Sequence, residues 1–318
     1  YSADRHHWSH IAVGVPGTVA GLFMAWQDAG SLPWAELVAP AIAQAEEGIA
    51  VTNGLARSLV EVRPRMERYP ASIAKFSNES RPLKAGGIWR QPDLAAALKR
   101  IAEQGPDGFY RGETADLIVA EMRRGGGIIT HADLAAYEPK RRKPIRGTYR
   151  GYEILSMPPP SSGGITLIQM LNILEGYDMR AHGFGSADSL HLMTESMRRA
   201  YADRARYLGD PDVVEMPLER LASKAHAATH RRSINLRKAS VSSPESFSWP
   251  AESPQTTHFS VIDGERNAVS LTYTLEQSYG SGIVVPGGGF LLNNQMGDFN
   301  AGPGLTDSAG LIRSLIHI

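Results

Sequence analysis

The sequence predicts a layered α+β protein, and three observations predict it. Helical periodicity fills most of the chain as far as Asp210. Strand-type alternation follows Thr256, and a Ser- and Pro-rich segment separates the two. Within "GTVAGLFMAWQDAG", Val19, Leu22, Phe23 and Trp26 recur at helical spacing, and Gly30 is the stop. In "SLPWAELVAPAIAQAEEGI" Ser31 is the expected N-cap. Pro33 falls near the first turn, where a missing N–H costs little, and Pro40 is expected to bend or divide the helix. "QPDLAAALKRIAEQG", "GETADLIVAEMRRGGG" and "THADLAAYEP" repeat a polar start, an apolar stripe and a Gly or Pro stop, with Thr130 as the cap of the last.

"RGTYRGYEILSM" is a strand candidate, and "PPPSSGG" is too rich in Pro and Gly for regular structure. "ITLIQMLNILEGYD" and "SADSLHLMTESMRRAYADRARYLGD" predict two more helices. The second should bury Leu190, Met193, Met197, Tyr201 and Leu208 on one stripe. Residues 236–255 lack periodicity and predict an exposed loop or linker. Beyond it, Thr256, His258 and Ser260 separate from Thr257, Phe259 and Val261. "DGERN" supplies a turn, and Val269, Leu271 and Tyr273 then oppose Ser270, Thr272 and Thr274. This is a hairpin with one apolar face and one hydroxyl-lined face, which starts a strand expected to be buried. No internal repeat is visible.

Composition excludes several function classes. Lys+Arg and Asp+Glu both number 33, so net charge recruits neither nucleic acid nor an anionic membrane. No run of about 18 uncharged apolar residues exists to span a bilayer. The start "YSADRHHWSH" carries no signal-peptide pattern and no initiating Met. With no cysteine, thiolate catalysis and cysteine-ligated metals drop out. There is no P-loop and no G-x-S-x-G elbow, and "GFGSAD" and "GGGF" lack a full dinucleotide fingerprint. No H-e-x-x-H occurs, and His6 and His7 are expected to be solvent-exposed. Asp203, Asp210 and Asp212 are assigned capping and turn duty at a helix end. Neither metal nor cofactor is expected.

The paired threonines remain. A Thr hydroxyl is a weak nucleophile unless a base takes its proton, and its own α-amine can do so if the chain is cut before it. Such an amine has a pKa near about 8. The residue must open a strand and follow a removable segment, and Thr256 meets both conditions. A plain reading stands beside this one, because Thr-Thr is also a good strand pair.

"PQTTHFSVIDGERNAVSLTYTLEQSYGSGI", with "GFLLNNQMGDF", resembles the γ-glutamyltransferase (γ-glutamyl transpeptidase) family of N-terminal-nucleophile hydrolases. "GVPGTVAG", "QGPDGFYRG", "ITHADLAAY", "SMPPPSSGG", "LNILEGYDM" and "AYADRARYLGDPD" resemble it in the family's order, from about Val13 to about Leu311. The resemblance implies a four-layer αββα sandwich, incomplete in this chain. Residues 1–255 would be a large-subunit portion ending in the flexible arm 236–255. Residues 256–318 would begin the small subunit, with 312–318 unlike the family.

It also implies self-cleavage at Gln255–Thr256, giving a heterodimer from one precursor, and a periplasmic or secreted location. Thr256 would attack the γ-carbonyl of glutathione or another γ-glutamyl compound and pass the acyl group to water, an amino acid or a peptide. Thr274 would orient the nucleophile, and Glu276, Gln295 and Asp298 would grip the substrate's α-ammonium. Glu276 stands where many members carry Asn, and Gly297 where N-N-Q-M-D-D-F is commoner. "PPPSSGG" would lie near the site as a rigid loop, not as a source of catalytic serines. The family's carboxylate-binding Arg lies N-terminal to this chain's start, and its P-L-S-S-M motif and oxyanion Gly-Gly are missing. The 318-residue polypeptide is therefore expected to be inactive or to fail to mature. The competing activity is a glutaryl β-lactam side-chain acylase of the same superfamily, and the non-enzyme reading is a truncated, non-catalytic homologue.

Overall fold

Helices and strands alternate unevenly along the chain, and the α+β class holds. The structure is a computed structural model that describes residues 7–78, 81–241 and 256–298. Gln255, most of the 236–255 arm, His6 and the 312–318 tail lie outside the described residues. Two compact units form: residues 7–141 with 256–297, and residues 142–241. This division follows packing rather than the chain order at Gln255–Thr256.

In the first unit the helices are α1 (Thr18–Ala29), α2 (Trp34–Glu47), α3 (Asn53–Met66), α4 (Pro70–Lys75), α5 (Pro92–Gln104), α6 (Asp107–Tyr110), α7 (Gly112–Gly125) and α8 (His131–Ala135). Two short ladders accompany them: β1 (Ile49–Ala50) pairs β4 (Ile88–Trp89), and β2 (Ser77–Asn78) pairs β3 (Arg81–Pro82). Thr130 caps α8 as expected, and Asp133 completes a reciprocal box with it. In α2 the expected cap is wrong and the helix is not divided. Its cap is Pro33, not Ser31, since the helix opens at Trp34. Pro40 lies inside an unbroken helix, because packing against α5 outweighs one lost backbone bond. Helix α3, not expected from the sequence, buries Leu59, Val62 and Met66 and is capped by Thr52. The core joins α5, α6 and α7 to a late segment of the chain, with Ile118, Ile283, Val285 and Leu292 fully enclosed.

In the second unit, the strand candidate is a hairpin, β5 (Ile145–Tyr149) with β6 (Tyr152–Ser156). Arg150 and Gly151 both take positive φ at its two-residue turn. Helices α9 (Gly163–Leu174), α10 (Met179–His182), α11 (Ala187–Tyr207), α12 (Leu218–Leu221) and α13 (Lys224–Arg232) complete it. The expected stripe on α11 is wrong. Leu190, Met193 and Met197 are about half exposed, whereas Ser189, Leu192, Ser196, Ala200 and Asp203 are buried. Small residues let α11 approach α9 closely, and its buried charges find partners. Glu195 accepts from the Ser240 backbone N–H (2.9 Å) and hydroxyl (2.6 Å). Burial alone would raise the Glu195 carboxyl, but Ser240 and Arg199 reverse this and hold it at about 2. Ser162 of the Pro-rich loop accepts from Arg204 Nε at 2.7 Å.

A further hairpin is β7 (Thr257–Ile262) with β8 (Ala268–Tyr273), registered from Thr257 opposite Tyr273 to Ile262 opposite Ala268. The two faces segregate as the alternation requires. The strand is not buried: every residue of β7 is exposed, and among the described residues no layer covers Phe259, Val261 or Val269. All described sheets are two-stranded, so the stacked sheets of a sandwich are not assembled among these residues.

Candidate active site

Thr256 immediately precedes β7 and Thr274 immediately follows β8. Antiparallel register therefore sets them side by side at the open end of the hairpin. The Thr256 hydroxyl donates to Thr274 Oγ1 at 3.3 Å. Thr274 is itself fixed, since the Glu276 backbone N–H donates to the same oxygen at 2.9 Å. Below them the hydroxyl-lined face is organised by His258, whose Nδ1 lies 2.8 Å from Thr272 Oγ1 and Nε2 3.0 Å from Ser270 Oγ. Those bonds lock the register across the strands.

Glu276 is buried at 8% exposure and holds φ at +80°, a conformation uncommon for a non-glycine residue. Burial raises its carboxyl from the ordinary 4.5 to about 7, against opposing pulls from Gln277, Asn294 and Arg65. Arg65 was not singled out in the sequence. It comes from α3, donates to the Ser278 carbonyl and lies over the Trp8 ring at 4.1 Å. No motif advertises a pairing across more than 200 residues.

Gln295 opens a short 3-10 turn, Gln295–Asp298. Its backbone N–H donates to Asn293 Oδ1 at 3.0 Å. Asn293 also clamps Gly14, accepting from its N–H at 3.0 Å and donating to its carbonyl at 2.8 Å. The Asn294 N–H donates to the Leu275 carbonyl, and Asn294 Oδ1 accepts from the Gln277 N–H, so the Gln295 turn is tied to the Glu276 strand exit. The structure thus joins Thr256, Thr274 and Glu276 directly, and Gln295 through the two asparagines. The side chain of Asp298 lies outside the described residues. A side chain at Gly297 would collide with the half-buried His7 ring at 2.3 Å, so the acidic residue common in the resembling motif cannot stand here without moving His7.

The gamma-glutamyltranspeptidase family profile matches residues 2–316. The chain belongs to that family. It is 49% identical over 311 residues to the glutathione hydrolase proenzyme of Escherichia coli (strain K12), covering 96% of this chain and 53% of that one. The chain thus spans about half the length of that curated relative. Among solved structures it is similar to Helicobacter pylori gamma-glutamyltranspeptidase (42% identity, TM-score 0.73, 74% of this chain and 68% of that). It is also similar to cephalosporin acylase from Bacillus halodurans (30% identity, TM-score 0.82, 98% and 57%). These solved structures carry the N-terminal-nucleophile hydrolase fold, and the α+β class of this chain agrees with it.

Among the described residues one group has metal-ligand chemistry, Asp203 with His226 and His230. The sequence reading gave Asp203 capping duty at a helix end. Instead it lies within α11, buried, while Asp210 and Asp212 do form the turn beyond. The signal that could have found it is H-x-x-x-H on α13, which sets two imidazoles on one helix face.

Proposed function

We propose that the whole protein is a self-cleaving γ-glutamyltransferase/glutathione hydrolase with Thr256 as nucleophile. The observation that carries this reading is the Thr256–Thr274–Glu276 chain of hydrogen bonds at the mouth of the hairpin. In the precursor, Thr256 Oγ1 attacks the Gln255 carbonyl carbon. The C–N bond breaks, an ester forms, and the α-amine of Thr256 is released. Water then hydrolyses the ester, leaving Gln255 as a carboxylate and dividing the chain into large and small subunits. In the mature form that amine takes the hydroxyl proton as Thr256 attacks a γ-glutamyl carbonyl, and the proton passes to the departing amine. Water or an acceptor amino acid or peptide then takes the acyl group.

Glu276, Gln295 and Asp298 grip the substrate's α-ammonium. A carboxyl raised to about 7 is half neutral near neutrality, and an ammonium beside it favours the ionised form. Export to the periplasm or the medium belongs to this proposal. Among the described residues no helix is long and apolar enough to cross a membrane.

The similarity to a cephalosporin acylase supports a second reading, in which a glutaryl amide is the donor. A glutaryl group has no ammonium, so Gln295 and Asp298 favour the first. The test is the relative turnover of γ-glutamyl and glutaryl anilides. A preference for γ-glutamyl supports the proposal, and a preference for glutaryl overturns it. Absolute rates of the 318-residue polypeptide alone should be low, since its sequence has no P-L-S-S-M motif. One lost oxyanion donor costs about 2.7–4 kcal/mol. A near-normal rate from that polypeptide would refute this part.

A further inference from the structure

Three polar side chains in the second unit converge on a single point. His226 Nε2 lies 2.6 Å from Asp203 Oδ2, His230 Nε2 lies 2.9 Å from the same oxygen, and the two Nε2 atoms lie 3.1 Å apart. As a hydrogen-bond cluster this is poorly matched. If both imidazoles donate to Oδ2, two N–H groups are set side by side. If one does not, a nitrogen lone pair faces the carboxylate. A cation at the centre turns all three lone pairs into favourable contacts.

The geometry agrees. The three distances define a triangle with a circumradius of about 1.7 Å. Zinc-to-nitrogen and zinc-to-carboxylate distances are about 2.0–2.2 Å. An ion can therefore sit on the triangle's axis roughly 1 Å above its plane, in contact with every ligand atom. The three atoms would then form one face of a coordination shell, with outward positions left for water.

The support around the ligands fits as well. His226 and His230 are four apart on α13, so one helix face presents both rings. Ser223 caps that helix, accepting from the His226 N–H at 3.1 Å, which fixes the first turn. Asp203 comes from α11, and Gln169 of α9 donates to its Oδ2 at 2.8 Å, holding the carboxylate in place. Asp203 is nearly buried, whereas the imidazoles keep about a sixth of their side-chain surface exposed, which gives an ion a route in.

We propose that Asp203, His226 and His230 form a binding site for a divalent transition-metal ion of the zinc class, which clamps α13 to α11. Two imidazoles and one carboxylate suit zinc, cobalt(II) or nickel(II) rather than magnesium or calcium. The site departs from the metal-free expectation drawn from the sequence, and it does not depend on the chemistry proposed for Thr256.

The test uses the full chain, stripped with chelator and titrated with Zn²⁺ by calorimetry and with Co²⁺ by visible absorption. One ion per chain is expected, with a cobalt d–d spectrum and a rise in melting temperature at saturating Zn²⁺. Asp203→Asn, which keeps the side-chain shape, and His230→Gln should each weaken binding by at least tenfold. His131→Ala, at the exposed His131–Asp116 pair, should leave it unchanged. If the substituted chains fail to fold, histidine NMR of the wild-type chain decides. Selective shifts of two ring signals on Zn²⁺ addition support the site. No ion bound, or binding unaffected by Asp203→Asn and His230→Gln, overturns it.

Discussion

The β7–β8 hairpin and the segment that follows it, residues 276–297, carry the two halves of the candidate site and are built in opposite ways. The hairpin is held by cross-strand bonds and by His258, with both faces open to solvent. The following segment is wedged into the core. Ile283, Val285 and Leu292 are fully buried, and the Ser72 hydroxyl accepts from the Val284 N–H at 2.9 Å. The proposed nucleophile therefore rides on a lightly anchored ribbon among the described residues, while the groups proposed to hold substrate are fixed to the scaffold. A threonine that must first attack its own chain and later attack substrate needs local freedom. A gripping site needs preorganisation.

The comparison can be broken first at the nucleophile. Thr256→Ala should abolish self-cleavage, a loss on the order of 10⁴–10⁶-fold as for other removed catalytic groups, read as persistence of the uncut chain on a denaturing gel. Next comes packing. Leu292→Ala should cost about 2–5 kcal/mol in urea denaturation, while Phe259→Ala on the open hairpin should stay within about 0.5 kcal/mol. Equal costs would remove the contrast between the two regions.

Thr274→Val keeps the shape but loses the oxygen that takes the Thr256 hydroxyl bond and the Glu276 N–H bond. Cleavage should slow by about 10²-fold without loss of fold, measured as a first-order rate.

The smallest effect sharpens the comparison at Glu276. Its folded pKa is raised, so its contribution is fully present below pH 4.5 and is lost as pH rises through about 7. Glu276→Asn removes that titration and suits positive φ better. Melting temperature should then vary less between pH 4.5 and 7, with a gain of about 1 kcal/mol at pH 7. An unchanged pH profile would mean that the fold does not raise the Glu276 carboxyl.

Local patterns carried much of this architecture. Alternation placed Thr256, His258 and Ser260 on one face, and Thr130 marked the start of α8. What stayed hidden came from tertiary balance. Packing kept α2 intact through Pro40, and small residues, not the apolar stripe of Leu190, Met193 and Met197, decided which face of α11 is buried. At the site, the motif residues were legible, but the positive φ of Glu276, the approach of Arg65 and the Asn293 clamp on Gly14 depend on long-range contacts. The Asp203 cluster was half legible, as two histidines one helical turn apart awaiting a carboxylate from another helix.

The central claim is that this hairpin presents a self-activating threonine. Intact-mass spectrometry of the whole protein's precursor, beside its Thr256→Ala variant, tests it most directly. The account predicts two fragments divided at Gln255–Thr256 for the precursor and one uncut mass for the variant. A single uncut mass for both, or cleavage that survives Thr256→Ala, would contradict it.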